Sequence, residues 1–595
     1  MTDMALAEPR TDRSLPGGGF ALAVAGAAAV MLLAFAAGLP KLAEPGIDND
    51  SLMRLVTVRD LLAGQGWFDP TQYRMGPEGG FAMHWSRLVD APIALLVALF
   101  GEAVAAFVWP ALLLIAALAL IVAISERLGG AEARFPALVL AVTALHFLAT
   151  FSPGTFDHHN VQLVLALAML AGLLAGTGRG GLAAGAAGAL SLAVGMETLP
   201  LVAAAGAGAA LTFWLRGREE GRVASGFGLG FAAAAAVTLG ATLSSAAWWQ
   251  TTCDAYSGGH AAVAVVAGLG LAAAARFSGQ RSAATRLGAL AATGAAVQAV
   301  VLFALPGCLA DPYADLDPRL TDYWLDWVSE AQSVATMLRS DPAQAATHYV
   351  TPLVALVLLA TGAVARGNGR ARLLAFLILA TATIVSWWQV RGAVFSMTLA
   401  VPVLAGWIAR MRGRAAADGT RGSLRLAAAW LLSFNVGWGL AVQGAAALVS
   451  PRSPDARAAA IERKNAAACR KEADFAALAG MPATTVLAIS NLGAPILAFS
   501  RHRALAGPYH RNETGNLAVL DALLGPAEAA RSIAARQHVG IVAICPGNPE
   551  TQVLARRAPD GLLAKMLGGD VPVWLLPVET GAALQLYRIR SAIAP

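Results

Sequence analysis

The chain has 595 residues, of which 57% are hydrophobic and only 13% charged, with a net charge of +6. A soluble globular domain carries about a quarter charged residues, so an ordinary soluble enzyme is excluded. Nucleic-acid binding is excluded too, because the Arg residues sit in short loops between apolar runs and form no basic patch.

The apolar runs recur at lengths near the roughly 20 residues needed to cross a bilayer, which predicts a polytopic α-helical membrane protein with about 13 transmembrane helices. Residues 1–19, with Arg10 and Arg13, read as a cytoplasmic N-terminal tail, and the apolar run after them as a retained first span, not a cleaved signal peptide. Residues 20–448 form the membrane part, with outer loops at 41–90, 151–160 and 309–347. The apolar piece at 91–100 is too brief to cross and reads as lying on or within the surface. Basic turns at Arg127 and Arg134, Arg179, Arg216 to Arg222, Arg276 to Arg286, Arg366 and Arg370, and Arg410 to Arg414 all fall on one side, which reads as the cytoplasm. The tail, 449–595, changes character. TTVLAIS, APILAFS, GIVAICPG and LQLYRI read as short buried strands, NLAVLDALL and PAEAARSIAARQ as helices, so a small periplasmic α/β domain is expected. Abundant Ala, Gly and Arg with little Lys suggests a GC-rich bacterial genome, and hence a bacterial inner membrane.

The polar residues gather in outposts on the outer side. The first loop carries Asp48 and Asp50, followed by Arg54, His84 and Arg87. Two acids spaced D-x-D at a membrane surface either share a hard divalent ion or sit in a solvated loop with a capping Asp. The second outpost, FDHHN, places Asp157, His158 and His159 at the lip of a span, as a metal half-site or a helix N-cap. Glu330, in YWLDWVSEAQS, is the third; Trp324 and Trp327 there also suit an interfacial helix. Arg391, at the outer end of another span, is placed either to snorkel or to grip a lipid phosphate. Glu197 is a fifth candidate. All four Cys fall on the outer side, where disulfides Cys253–Cys308 and Cys469–Cys545 are expected, against a reading as small buried hydrophobes. Charges at span ends, without an internal repeat, favour a metal-assisted reaction on a phosphate-linked lipid; the alternative is a lipid or polysaccharide transporter or flippase without chemical transfer.

In their order along the chain these motifs resemble the catalytic subunit of oligosaccharyltransferase, among the GT-C membrane glycosyltransferases. Asp48 and Arg54 match an Asp followed six residues later by Arg, and Trp67 to Asp69 echo a Trp-Phe-Asp. Asp157 and His159 stand where the family has a second acidic pair, Val328 to Glu330 resemble its outer-loop motif, and Arg391 matches an Arg in span eleven. The family's Trp-Trp-Asp-Tyr-Gly signature is absent; GPYHRN in the tail offers Tyr509, His510 and Arg511 instead. The resemblance implies sugar transfer from a polyprenyl-phosphate or polyprenyl-diphosphate donor to an acceptor that is protein, lipid or glycan. Asp48, Asp50 and Glu330 would be catalytic; Asp48, Asp157 and His159 would hold a divalent ion, Mg or Mn. Arg391, Arg54, His84 and Arg87 would bind the donor phosphate; His158 and Glu197 are further candidates read from the residues alone.

Overall fold

The computed structural model describes residues 17–36, 48–309, 316–325, 329–365, 367–449 and 469–590. The expectations for residues 1–16, the start of the first outer loop at 41–47, Trp327, Val328 and Arg366 lie outside these residues.

The chain is a helical membrane protein with a small C-terminal sheet. Among the described residues nine helices are long and apolar enough to cross a membrane, or ten if the bent pair Ala417–Ser433 and Asn435–Leu448 counts as one span. The other expected spans fall on α1 (Gly17–Ala36) and on the shorter helices α6 (His159–Leu174) and α7 (Gly178–Val194). Helices are the only open-ended backbone a bilayer tolerates, because they satisfy every N–H and C=O internally. Small residues set the packing. A Cβ at Gly181 or Gly185 of α7 would strike the backbone carbonyls of Val223 and Phe227 on the facing helix, Arg218–Thr242. That spacing of small residues lets the two backbones touch.

The first outer loop is folded, not merely solvated. Its helix α2 (Asn49–Leu62) is capped by Asp48, whose carboxylate accepts from the Ser51 N–H at 2.6 Å. Eight consecutive residues, Ser51 to Val58, are buried, because α2 lies between two cores. Leu55 and Val58 pack with Val89, Ile93, Trp109 and Phe156 of the membrane part. Leu52, Met53 and Val56 join the core of the C-terminal domain. The short hairpin β1 (Thr71–Gln72) and β2 (Phe81–Ala82) follows.

The C-terminal sheet has strands β3 (Thr485–Leu487), β4 (Arg503–Ala504), β5 (Val539–Ile544), β6 (Leu575–Val578) and β7 (Gln585–Ile589), in the order β4-β3-β5-β7-β6. β3 runs parallel to β4 and β5, whereas β7 is antiparallel to β5 and β6. APILAFS, expected as a strand, is instead the helix Gly493–Phe499. Its residues 493–498 are all buried, so the apolar run had no polar face from which to read a period. The outer edge of β4 is covered by the first loop: Ala504 N–H donates to Arg74 C=O, and Gly76 N–H donates back to Ala504 C=O, both at 2.9 Å. The domain thus grips the first loop through both core and sheet edge.

Candidate active site

Ser51 joins the first two outer loops. Its hydroxyl donates to the Asp48 carboxylate at 2.9 Å and accepts from the Phe156 N–H at 3.0 Å, one residue before Asp157. A single buried hydroxyl therefore fixes the distance between the D-x-D and D-x-H segments. Burial first, then the charge of Asp157 and more weakly that of Glu330, pushes the Asp48 carboxyl up to about 6, against the two Ser51 hydrogen bonds. Asp50, half-buried, is pushed up to about 8 by burial, then by Asp157, Glu330 and Asp48. Both acids of the first loop are therefore pushed up by the same neighbouring carboxylates.

At the start of α6, His159 Nδ1 lies 2.5 Å from Asp157 Oδ2, and His158 Nε2 lies 2.7 Å from Glu197 Oε1. Burial opposes it, but His159 and His158 hold Asp157 well below its ordinary value. Asp157, His158 and His159 each offer a ligand atom within 4.8 Å of the others. Asp157 Oδ1 and His158 Nδ1 are 2.9 Å apart but not aligned for a hydrogen bond, and neither has another hydrogen-bond partner; His159 Nε2 is also buried without one. Buried oxygen and nitrogen atoms left in this state, beside carboxylates that repel one another, fit a divalent cation. A mixed carboxylate and imidazole set suits Mn²⁺ or Zn²⁺ better than Mg²⁺.

The other expected residues divide. Glu330 lies in the turn Ser329–Ala331, and Arg391 in the turn Val390–Gly392; Val390 N–H donates to Gln332 C=O at 2.9 Å, so the two segments are adjacent. Arg54 and Arg87 turn away from the acids. Both are buried and converge on Asp90, at 2.8 and 3.1 Å, and Arg54 lies 4.3 Å from the Trp85 ring centroid. Arg87 also donates to the carbonyls of Thr57 and Asp69, so it holds the loop together. His84 faces His510, with ring centroids 4.9 Å apart. His510 and Arg511 both contact Asp254, at 2.7 and 2.6 Å. Tyr509, buried, donates to Asn49 C=O between the two acids.

The fold has known counterparts. The chain matches the archaeal oligosaccharyltransferase AglB from Archaeoglobus fulgidus, in complex with an inhibitory peptide and a dolichol-phosphate, over 97% of its length and 74% of that chain, with a TM-score of 0.63 at 13% identity. It shares an oligosaccharyltransferase fold. An A. fulgidus oligosaccharyltransferase in complex with Zn and sulfate matches at a TM-score of 0.62, with 13% identity over 96% of this chain and 73% of that one. ArnT from Cupriavidus metallidurans, bound to undecaprenyl phosphate, gives 0.41 with 12% identity over 98% of this chain and 100% of that one. No protein-family model and no curated protein matches the sequence.

Several residues that shape the site are not legible in the sequence. Ser51, Asn491 and Asp254 sit in short polar stretches with no periodic or motif signal. Asn491 holds the Asn49 amide at 3.0 Å from the C-terminal domain, a pairing invisible to any local pattern. Asp254 adjoins Cys253 of the Cys253–Cys308 disulfide, and that adjacency was its one clue. Cys469 and Cys545 form the second bridge.

Proposed function

We propose that this chain is an inverting GT-C-type glycosyltransferase of the bacterial inner membrane. It transfers a sugar or oligosaccharide from a polyprenyl-phosphate or polyprenyl-diphosphate donor to an acceptor at the periplasmic face. The observation that carries the reading is the Ser51 hydroxyl that ties the Asp48 segment to the Asp157 segment, two separate outer loops, within a fold shared with an oligosaccharyltransferase. The bond from the anomeric carbon to the phosphate oxygen breaks, with its electron pair leaving on the lipid phosphate. The acceptor atom bonds to the anomeric carbon from the opposite face and gives its proton to Asp48.

Asp48 suits that role. The two Ser51 hydrogen bonds orient its carboxylate and partly offset the pressure to protonate, leaving it a proton acceptor near neutral pH. Asp50, pushed further up, is the second acid. Asp157, with His158 and His159, would hold a divalent ion, which when bound neutralises charge on the departing phosphate; Asp48 stands outside that ligand group. Glu330 orients the acceptor, and Arg391, on the adjoining turn, binds the donor phosphate. The test is transfer of labelled saccharide from a polyprenyl-linked donor in membranes. Asp48→Ala is expected to abolish transfer while leaving expression and donor binding intact; normal transfer by that variant sinks the assignment.

A further inference from the structure

A second group of metal-ligand type lies outside the proposed reaction centre. His84 of the first outer loop, Asp254 of the loop after Arg218–Thr242, and His510 of the C-terminal domain each offer a ligand atom within 4.8 Å of the others. The Nδ1 atom of His84 is buried without a hydrogen-bond partner. His510 Nε2 lies 2.7 Å from Asp254 Oδ2; two ligands of one tetrahedral ion, each about 2.0–2.2 Å from it, lie about 3.3–3.6 Å apart, so this hydrogen-bonded pair would open by less than about 1 Å when an ion replaces the shared proton.

Arg511 also holds Asp254, with Nε to Oδ2 at 2.7 Å and Nη2 to Oδ1 at 2.6 Å. Its guanidinium takes one edge of the carboxylate, and the remaining lone pair of Oδ2 faces His510. Carboxylate ligands are commonly steadied in this way by an outer hydrogen-bond donor. Because Asp254 already neutralises Arg511, the site lacks the net positive charge that would make it an anion pocket. Two imidazoles and one carboxylate form a donor set for zinc-class ions, not for Mg²⁺ or Ca²⁺.

We propose that His84, Asp254 and His510 form an interdomain transition-metal site of zinc class, distinct from the Asp157 group, with its fourth position taken by water. The site ties the C-terminal domain both to the first loop and to the loop pinned by Cys253–Cys308. It removes His84 from the donor-phosphate set. The full-length protein, purified in detergent and stripped by chelator, is titrated with Co²⁺, followed by its absorption spectrum and by metal content per chain. The Asp157→Asn, His159→Gln variant is expected to keep one tightly bound Co²⁺, which is lost on adding either His84→Gln with His510→Gln, or Asp254→Asn alone. Should the histidine variant fail to fold, Asp254→Asn carries the test, and X-ray absorption of the zinc-loaded Asp157→Asn, His159→Gln protein must show two imidazole ligands. An Asp157→Asn, His159→Gln protein that binds no ion, or one whose ion survives Asp254→Asn, overturns the proposal. Wild-type protein whose single ion survives Asp157→Asn, His159→Gln instead supports this site and counts against metal in the proposed transfer reaction.

Discussion

Ser51 contributes as much to the site as the acids it holds. Replacing it by Ala keeps the backbone N–H bond to Asp48 but removes the hydroxyl bond and leaves the buried Phe156 N–H unpaired, because only the hydroxyl reaches both loops. The expected loss is about 1–3 kcal/mol in stability, and on the order of 10²-fold in transfer rate if the acids shift by about an ångström. Thermal unfolding and single-turnover transfer measure the two separately. The crowded acids also set a pH dependence. An acid whose folded pKa is raised binds more protons folded than unfolded, so the stability it contributes falls as pH rises between its two values. For Asp50 that window runs from 3.8 to about 8. Metal-free protein should therefore lose stability across it, and Asp50→Asn should flatten the slope. A slope of the same size in Asp50→Asn would remove Asp50 as its cause.

At the scale of elements, α2 is the keystone, since its two faces belong to different cores. The C-terminal domain holds its first turn twice, through Tyr509 on the Asn49 carbonyl and Asn491 on the Asn49 amide. Tyr509→Phe keeps the ring and deletes one bond, so a loss of about 1 kcal/mol is expected, with a several-fold fall in transfer. A variant with unchanged stability and transfer would show that this bond positions nothing. The Cys469–Cys545 bridge spans 76 residues, and Cys469→Ser with Cys545→Ser is expected to cost up to ~4.5 kcal/mol by the chain-entropy argument, read as a lower unfolding temperature. The membrane helices were legible in the sequence because a bilayer forces apolar runs into helices. The helix Gly493–Phe499 was not, since a run buried on all sides carries no period. Arg54 and Arg87 looked like phosphate ligands by charge and position, but the nearby Asp90 claims both.

At the scale of the whole molecule, loop charge and span length lead to the expectation that the polar outposts share one side, and spacing singles out the D-x-D and D-x-H segments. What they could not supply was distance. Contacts such as His510 with Asp254, separated by 256 residues, arise only when the C-terminal domain folds down over the outer loops. The site is therefore assembled from both parts of the protein. Deleting residues 449–595 should expose Leu52, Met53 and Val56 and abolish transfer even with every membrane acid in place. The central claim, that these acids break the bond between sugar and lipid phosphate, is tested most directly by donor turnover. The purified chain is reconstituted in liposomes with a polyprenyl-linked saccharide and acceptor extract, and release of free polyprenyl phosphate or diphosphate is measured. The wild-type protein should release it together with acceptor-linked sugar, and Asp157→Asn with Glu330→Gln should release at least about 10²-fold less. Donor carried intact across the bilayer, with no lipid phosphate released, would contradict the account and leave a transporter.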